Sequence, residues 1–220
     1  MRLELKKNNL RKSIVGGFFT ILLMMVFVIL INYEEAFRSY QEAFEITNAA
    51  SFIFIIFAAV LISRFVIDEY KSKSVTVLFM YPLNRKKVLF AKLAIVFLYT
   101  FVFGILSRVI IFSGFCIFNR FAHVVTEDLT NVMLVQQGIG MVMSAAMTAC
   151  IGLVPLFFGM RKYSVPATIV SGIILMGILN TGSGTDFNLG SIIYVPAAVS
   201  VIGIFIAYFS IRKVEMEDIL

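Results

Sequence analysis

Charged side chains are scarce in this chain: Asp, Glu, Lys and Arg make up 15% of its 220 residues, while 60% are apolar. So few charges cannot clothe a water-facing surface, and an ordinary soluble domain carries only about 45–50% apolar residues. With a mean hydropathy of +0.95, lipid is the expected solvent. Cys116 and Cys150, far apart and inside apolar runs, offer neither a disulfide framework nor metal-ligand spacing, and read as small packing residues. There is no Gly-x-x-x-x-Gly-Lys-Ser/Thr phosphate loop, so the chain is not expected to bind or split ATP itself, nor to hold a cofactor or metal. No Asp or Glu lies inside an apolar run. Coupling to protons or sodium ordinarily places ionisable groups there, which counts against an ion-driven secondary transporter, the main alternative class.

What is present is a set of six apolar runs, at about 14–31, 49–67, 88–112, 132–159, 165–179 and 191–211. A spanning helix needs roughly 20 such residues, so an all-α membrane domain of six spans is expected over 1–220. The first run follows a basic stretch, yet Asn32, Tyr33, Glu34 and Glu35 come after it with no small-residue cleavage pattern, as in a retained anchor.

The net charge of +6 is a topology signal rather than a nucleic-acid footprint. Basic residues collect in the N-terminus (Arg2, Lys6, Lys7, Arg11, Lys12), the second loop (Arg64, Lys71, Lys73, Arg85, Lys86, Lys87, Lys92), the fourth loop (Arg161, Lys162) and the C-terminus (Arg212, Lys213). The opposite side holds only Arg38 and Arg120, with Glu34, Glu35, Glu42, Glu45, Glu127, Asp128 and Asp186. Lys and Arg beside spans stay in the cytosol, so both termini are expected there, in a multi-pass protein of the cell membrane.

Three runs are irregular. Residues 165–179 would make a helix only about 22 Å long, short of a hydrocarbon core of about 30 Å, and a Gly-, Ser- and Asn-rich stretch follows at 180–190. This segment is either a broken helix turning back or a tilted span with a plain loop. The fourth run carries Gly140, Ser144, Thr148 and Gly152 on one helical face, a ridge suited to close helix packing within the subunit or between subunits, and Pro155 should bend it. In the third run Arg108 is the one deep charge, 20 residues after Val88. It either reaches the outer headgroups or lines a substrate path.

Between the second and third runs the chain reads DEYKSKSVTVLFMYPLNRKKVLFAK. Val66, Ile67, Tyr70, Ser74, Val77, Leu78 and Tyr81 recur at three- and four-residue intervals, predicting a helix with a mostly apolar stripe beside Lys71 and Lys73, ended by Pro82. Such a stripe suits either a groove on a partner protein or the lipid headgroups. The segment resembles the loop between the second and third spans of type-2 ATP-binding-cassette (ABC) exporter permeases, the class that includes bacitracin and lantibiotic self-protection permeases. Their pattern is a Glu, a Thr about five residues on, a run of Leu, Pro-x-Ser-Arg and a Lys; here Glu69, Ser74, Leu78, Pro82, Arg85 and Lys92 stand at matching places. Lys73 and Asn84 depart from it, where Gly and Ser are common.

The resemblance implies a cytosolic coupling segment at 68–87 seated on a separate ABC ATPase subunit, which would carry ATP and Mg. Glu69 would anchor the segment, Tyr70, Ser74, Val77 and Leu78 would face the ATPase, and Pro82 and Arg85 would form the elbow into the third span. Residues 1–13 resemble the interfacial lead helix of the same class. Six spans are half of that class's pathway, so the resemblance also implies a homodimer or a related permease as partner. A membrane protease is a poorer reading: Glu34, Glu35 and Arg38 approach a Glu-Glu-x-x-x-Arg motif with the wrong spacing, and His123 is the sole histidine where such sites need more than one. Phe- and Met-rich spans suit an amphipathic or hydrophobic cargo such as a peptide antibiotic or a lipid.

Overall fold

The computed structural model describes residues 10–34, 46–48, 52–68, 85–122, 131–162, 164–180 and 194–216. All are helical or lie in short turns, with no strand among the described residues. The helices are α1 (Leu10–Glu34), α2 (Ile53–Ile62) continuing into a π-helical turn (Ser63–Ile67), α3 (Arg85–Ala122), α4 (Asn131–Ile151), α5 (Pro155–Lys162), α6 (Val165–Leu179) and α7 (Tyr194–Met216). Four stretches are long and apolar enough to cross a membrane: Ile46–Ile67, Val88–Asn119, Val135–Arg161 and Tyr194–Arg212; Ile14–Val28 and Val165–Leu179 are shorter apolar helices.

The second span is the hub. Its α2 portion buries Phe54, Ile55, Ala58, Ala59, Leu61 and Ile62, which together cover nearly half of the helix circumference, and it packs against α3, α4, α5 and α6. At the periphery α1 rests on α3 and turns Val15, Phe18, Phe19, Leu22, Leu23, Val26, Phe27 and Leu30 outward, a stripe at three- and four-residue intervals. An apolar face left uncovered is what lipid, rather than water, permits.

The cores reveal how the helices alternate. One cluster joins Leu61 to Ile67, Leu89, Leu93, Val96, Leu153 and Leu156, with Met160, Val165, Ala207 and Ile211 against it. It unites the end of the second span with the start of α3, the end of α5, the start of α6 and the end of α7. Arg64, Lys92, Arg161 and Arg212 all fall at or beside these residues, so the basic ends of four helical segments share one pole. A second cluster (Met24, Val28, Ile111, Phe115, with Ile46 and Met141) closes the opposite half. Between them Phe57, Tyr99 and Phe103 stack with ring centroids 4.4 to 6.4 Å apart, joining α2 to α3, and Gly17 of α1 lies directly on the Phe103 ring.

Small residues set the helix spacing. Gly152 faces Ala58 so closely that an added Cβ would stand 2.7 Å from the alanine methyl, and Gly172 of α6 faces Ala59 equally closely. Adjacent alanines on α2 thus receive a glycine from each flank. Gly203 of α7 lies on the Cys150 backbone carbonyl of α4, with no room for a methyl group. Cys150 and Cys116 are free and half-buried, in keeping with packing residues.

Gly203→Ala should therefore lower thermal stability, since the backbone it would strike cannot rotate away; overpacking of this kind costs about 1–3 kcal/mol. Gly138→Ala, where a Cβ meets nothing within 4 Å, should be neutral or stabilising by up to about 1 kcal/mol. Melting midpoints of the two variants in detergent decide it, equal midpoints being the contrary result.

Candidate functional site

Several buried serine and threonine hydroxyls in the spans donate within their own helices, whereas the buried Tyr99 hydroxyl has no hydrogen-bond partner among the described residues. Thr100 Oγ1 donates to the Val96 carbonyl (2.8 Å), Ser107 Oγ to Gly104 (2.9 Å), Thr148 Oγ1 to Ser144 (2.7 Å) and Ser171 Oγ to Thr168 (2.8 Å). A short side chain reaches a carbonyl three or four residues back, which suffices for one donor in hydrocarbon.

Arg108 has five N–H donors and cannot be satisfied this way. Its relative exposure is 0%, making it the largest fully buried side chain among the described residues. Nη1 donates to the Gly104 carbonyl one turn back (3.0 Å), and Nε donates across the bundle to Asn48 Oδ1 (3.1 Å). The Ser144 hydroxyl shares its proton between Asn48 Oδ1 (3.4 Å) and the Met141 carbonyl (3.2 Å). Nη2 is buried with no hydrogen-bond partner among the described residues. Three elements thus converge: the start of the second span (Asn48), the middle of α3 (Arg108) and α4 (Ser144).

This arrangement corrects the expectation that Arg108 reaches the outer headgroups. That expectation took the third apolar run to end at 112, but α3 continues to Ala122 through Phe115, Cys116, Ile117 and Phe118. Arg108 therefore lies 11 residues short of Asn119, about 16 Å along the helix. A buried charge lacking one partner costs several kcal/mol, which the surrounding packing must offset.

The second irregular region lies at the basic pole. Pro155 does more than bend the fourth run: the helix stops at Ile151 and restarts as α5 at Pro155. Pro155 has no N–H for the Ile151 carbonyl, which instead accepts from Val154 (2.9 Å), while Leu153 and Leu156 also donate three residues back (both 3.1 Å). Residues 151–156 are buried throughout, the condition under which broken helix is tolerated at membrane depth. Beside the break, Gly159 of α5 lies on the Thr168 hydroxyl of α6 and the Ile67 side chain of the π-turn. That turn ends at Asp68, where the segment 69–84 begins.

The four-residue stripe on α4 divides along its length. Gly152 is pressed on Ala58 and Thr148 is buried, Ser144 belongs to the arginine cluster, and Gly140 is exposed with open space around it. Of the residues singled out for coupling, Glu69, Tyr70, Ser74, Val77, Leu78 and Pro82 lie outside the described residues; Arg85 begins α3, and its side chain also lies outside them. Sequence reasoning missed Asn48. A single Asn at the edge of an apolar run looks like a loop residue, and its partner is 60 positions away.

Asn48→Leu should destabilise the fold by about 1.5–3 kcal/mol, because it strands a second guanidinium donor. Adding Arg108→Met to it should recover most of the loss, apolar replacement of both partners being nearly neutral. A thermal double-mutant cycle with additive losses would show that the two side chains do not interact.

The family model for "ABC-2 family transporter protein" matches residues 1–180. A Bacillus subtilis (strain 168) protein described as "Uncharacterized protein YcbO" is 38% identical over 225 residues, spanning 99% of this chain and 98% of that one. No solved structure matches the chain. With its helical membrane architecture and a match over most of its length, this chain belongs to the ABC-2 family of transporter proteins.

Proposed function

We propose that the chain is the membrane-spanning permease subunit of an ATP-driven exporter, with six spans and both termini in the cytosol. Membership of the ABC-2 transporter family carries this reading. The gathering of basic residues at one pole supports the orientation, since that pole would be the cytosolic one. The shorter apolar stretches Ile14–Val28 of α1 and Val165–Leu179 of α6 then complete six spans, and a second copy or a related permease completes the pathway.

The coupling segment 68–87 docks on a separate ATPase subunit through Tyr70, Ser74, Val77 and Leu78, with Glu69, Pro82 and Arg85 fixing its ends. Nucleotide and Mg stay on that partner, and this chain contributes no catalysis. Force applied to the segment enters the bundle through the π-turn Ser63–Ile67, which touches α5 at Gly159 and shares the basic-pole core with α3 and α6. A π-turn holds one extra residue and interrupts the regular ladder, so it marks a place where a helix can change register. Alternating access then moves an amphipathic or hydrophobic cargo, of the peptide-antibiotic or lipid-like kind handled by bacitracin- and lantibiotic-type permeases.

Affinity-tagged protein expressed with its cognate ATPase should co-purify with it, and Tyr70→Asp with Leu78→Asp should abolish the association while leaving membrane yield unchanged. Retained association would remove the coupling assignment. In a chain freed of Cys116 and Cys150, Lys73→Cys should react with an impermeant maleimide only after the membrane is opened. Labelling in intact cells would reverse the topology.

A further inference from the structure

Two side-chain groups buried in the described spans, the Tyr99 hydroxyl and Arg108 Nη2, have no hydrogen-bond partner among the described residues, and of these only the second belongs to a charge. Arg108 is wholly buried, one of its terminal nitrogens has no acceptor among the described residues, and no carboxylate faces it there. The described residues include only three carboxylates, Glu34, Asp68 and Glu215, each at or next to the end of a helical element. The two groups bonded to the guanidinium, the Asn48 amide oxygen and the Gly104 carbonyl, are neutral acceptors. Asn48 spends its oxygen on Arg108 and Ser144, which leaves the carboxamide N–H groups as its other arm, and Ser144 is a hydroxyl. A guanidinium beside an amide and a hydroxyl is the chemistry that receives an oxyanion, since the planar fork matches carboxylate and phosphate oxygens.

The walls add a second half to the ligand. One and two turns along α3 from Arg108 stand Ile111 and Phe115, packed with Met24 and Val28 of α1 and flanked by Met25 and Met141. Unbranched thioether side chains repack readily around apolar chains of different shape. On α4, Gly140 lies one turn from Ser144 on the same face and is open, as is Gly138. The cluster is therefore one helical turn from an uncovered stretch of α4.

We propose that Arg108, Asn48 and Ser144 form a binding site for the anionic group of an amphiphile, a phosphate or a carboxylate whose apolar tail lies along Ile111, Phe115 and the neighbouring methionines. The site is closed in this structure, and separation of α3 from α4 at Gly104 and Ala145 opens it. As a transport site it rests on the permease reading; as a binding site it stands without it. A cationic amphiphile is excluded by the same charge.

The test uses the full chain in nanodiscs of phosphatidylcholine alone, titrated with radiolabelled dodecyl phosphate, laurate and dodecyltrimethylammonium. At least one anion should bind saturably and the cation should not, and the tighter of the two anion arms tells a phosphate from a carboxylate ligand. Arg108→Gln should weaken binding by about tenfold to a hundredfold, the range expected when a charge-assisted hydrogen bond is lost. Asn48→Asp supplies the missing carboxylate from within. It should raise the melting midpoint and abolish anion binding, a combination that a purely structural arginine would not produce, and it stands alone if Arg108→Gln fails to fold. Undiminished anion binding in Asn48→Asp, or equal binding of the cation, overturns the site. Absence of saturable binding in a chain that still captures its ATPase overturns the site alone; saturable binding in a chain that captures none overturns the permease reading and leaves the site.

Discussion

In hydrocarbon, apolar helices gain nothing by hiding apolar surface from one another, because lipid tails are as apolar as leucine. Cohesion must come from dispersion contacts at close range and from polar groups with nowhere else to turn. The contacts of Gly152 with Ala58, Gly172 with Ala59 and Gly203 with the Cys150 carbonyl answer the first requirement. They let four helices, α2, α4, α6 and α7, approach in pairs almost backbone to backbone. The second span sits at the centre, where it offers alanines on neighbouring faces, Ala58 to Gly152 and Ala59 to Gly172 of α6. Its larger residues, Phe54, Leu61 and Ile62, then fill the spaces above and below that waist.

The polar requirement is met unevenly, and the unevenness locates the chemistry. Serine and threonine return their donors to their own helices, and the Pro155 break recovers its carbonyls through bonds three residues back. Arginine cannot be absorbed so locally. Its Nε reaches a residue 60 positions away, and its Nη2 finds no acceptor among the described residues. The bundle thus contains one half packed closely around the alanine waist and one half in which a charge is held by two hydrogen bonds.

Much of this was legible in the sequence, for identifiable reasons. Apolar run length located the helices: α6 covers Val165–Leu179, the same stretch read as a short span, because Pro166 in its first turn and the polar residues after Leu179 delimit it in both views. Run length failed at α3, where Ser113 and Gly114 dilute the hydropathy without breaking the helix. That ten-residue extension moved Arg108 from a supposed membrane edge to the interior. Pro155 announced an irregularity, though not that three residues, Gly152 to Val154, leave the helix before it. The small-residue spacing on α4 placed four residues on one face, but spacing says nothing about where the neighbouring helix ends, and Gly140 lies beyond it. Asn48, Ala59 and Gly203 owe their importance to partners distant in sequence, which no local pattern encodes.

The two halves bear differently on motion. Opening the alanine waist would forfeit dispersion contacts on both flanks and return nothing, since lipid or water would have to enter a seam too narrow for either. Opening the bundle around Arg108 exposes a donor that is already short of an acceptor, so solvent or an anion entering there returns part of what separation costs. A transporter needs two states of similar free energy, and a surface that is perfectly satisfied in one of them is poorly suited to parting. On the permease reading proposed above, the arginine half is therefore the side better suited to parting, and the waist, joined to the π-turn and α5, the part suited to move as one piece.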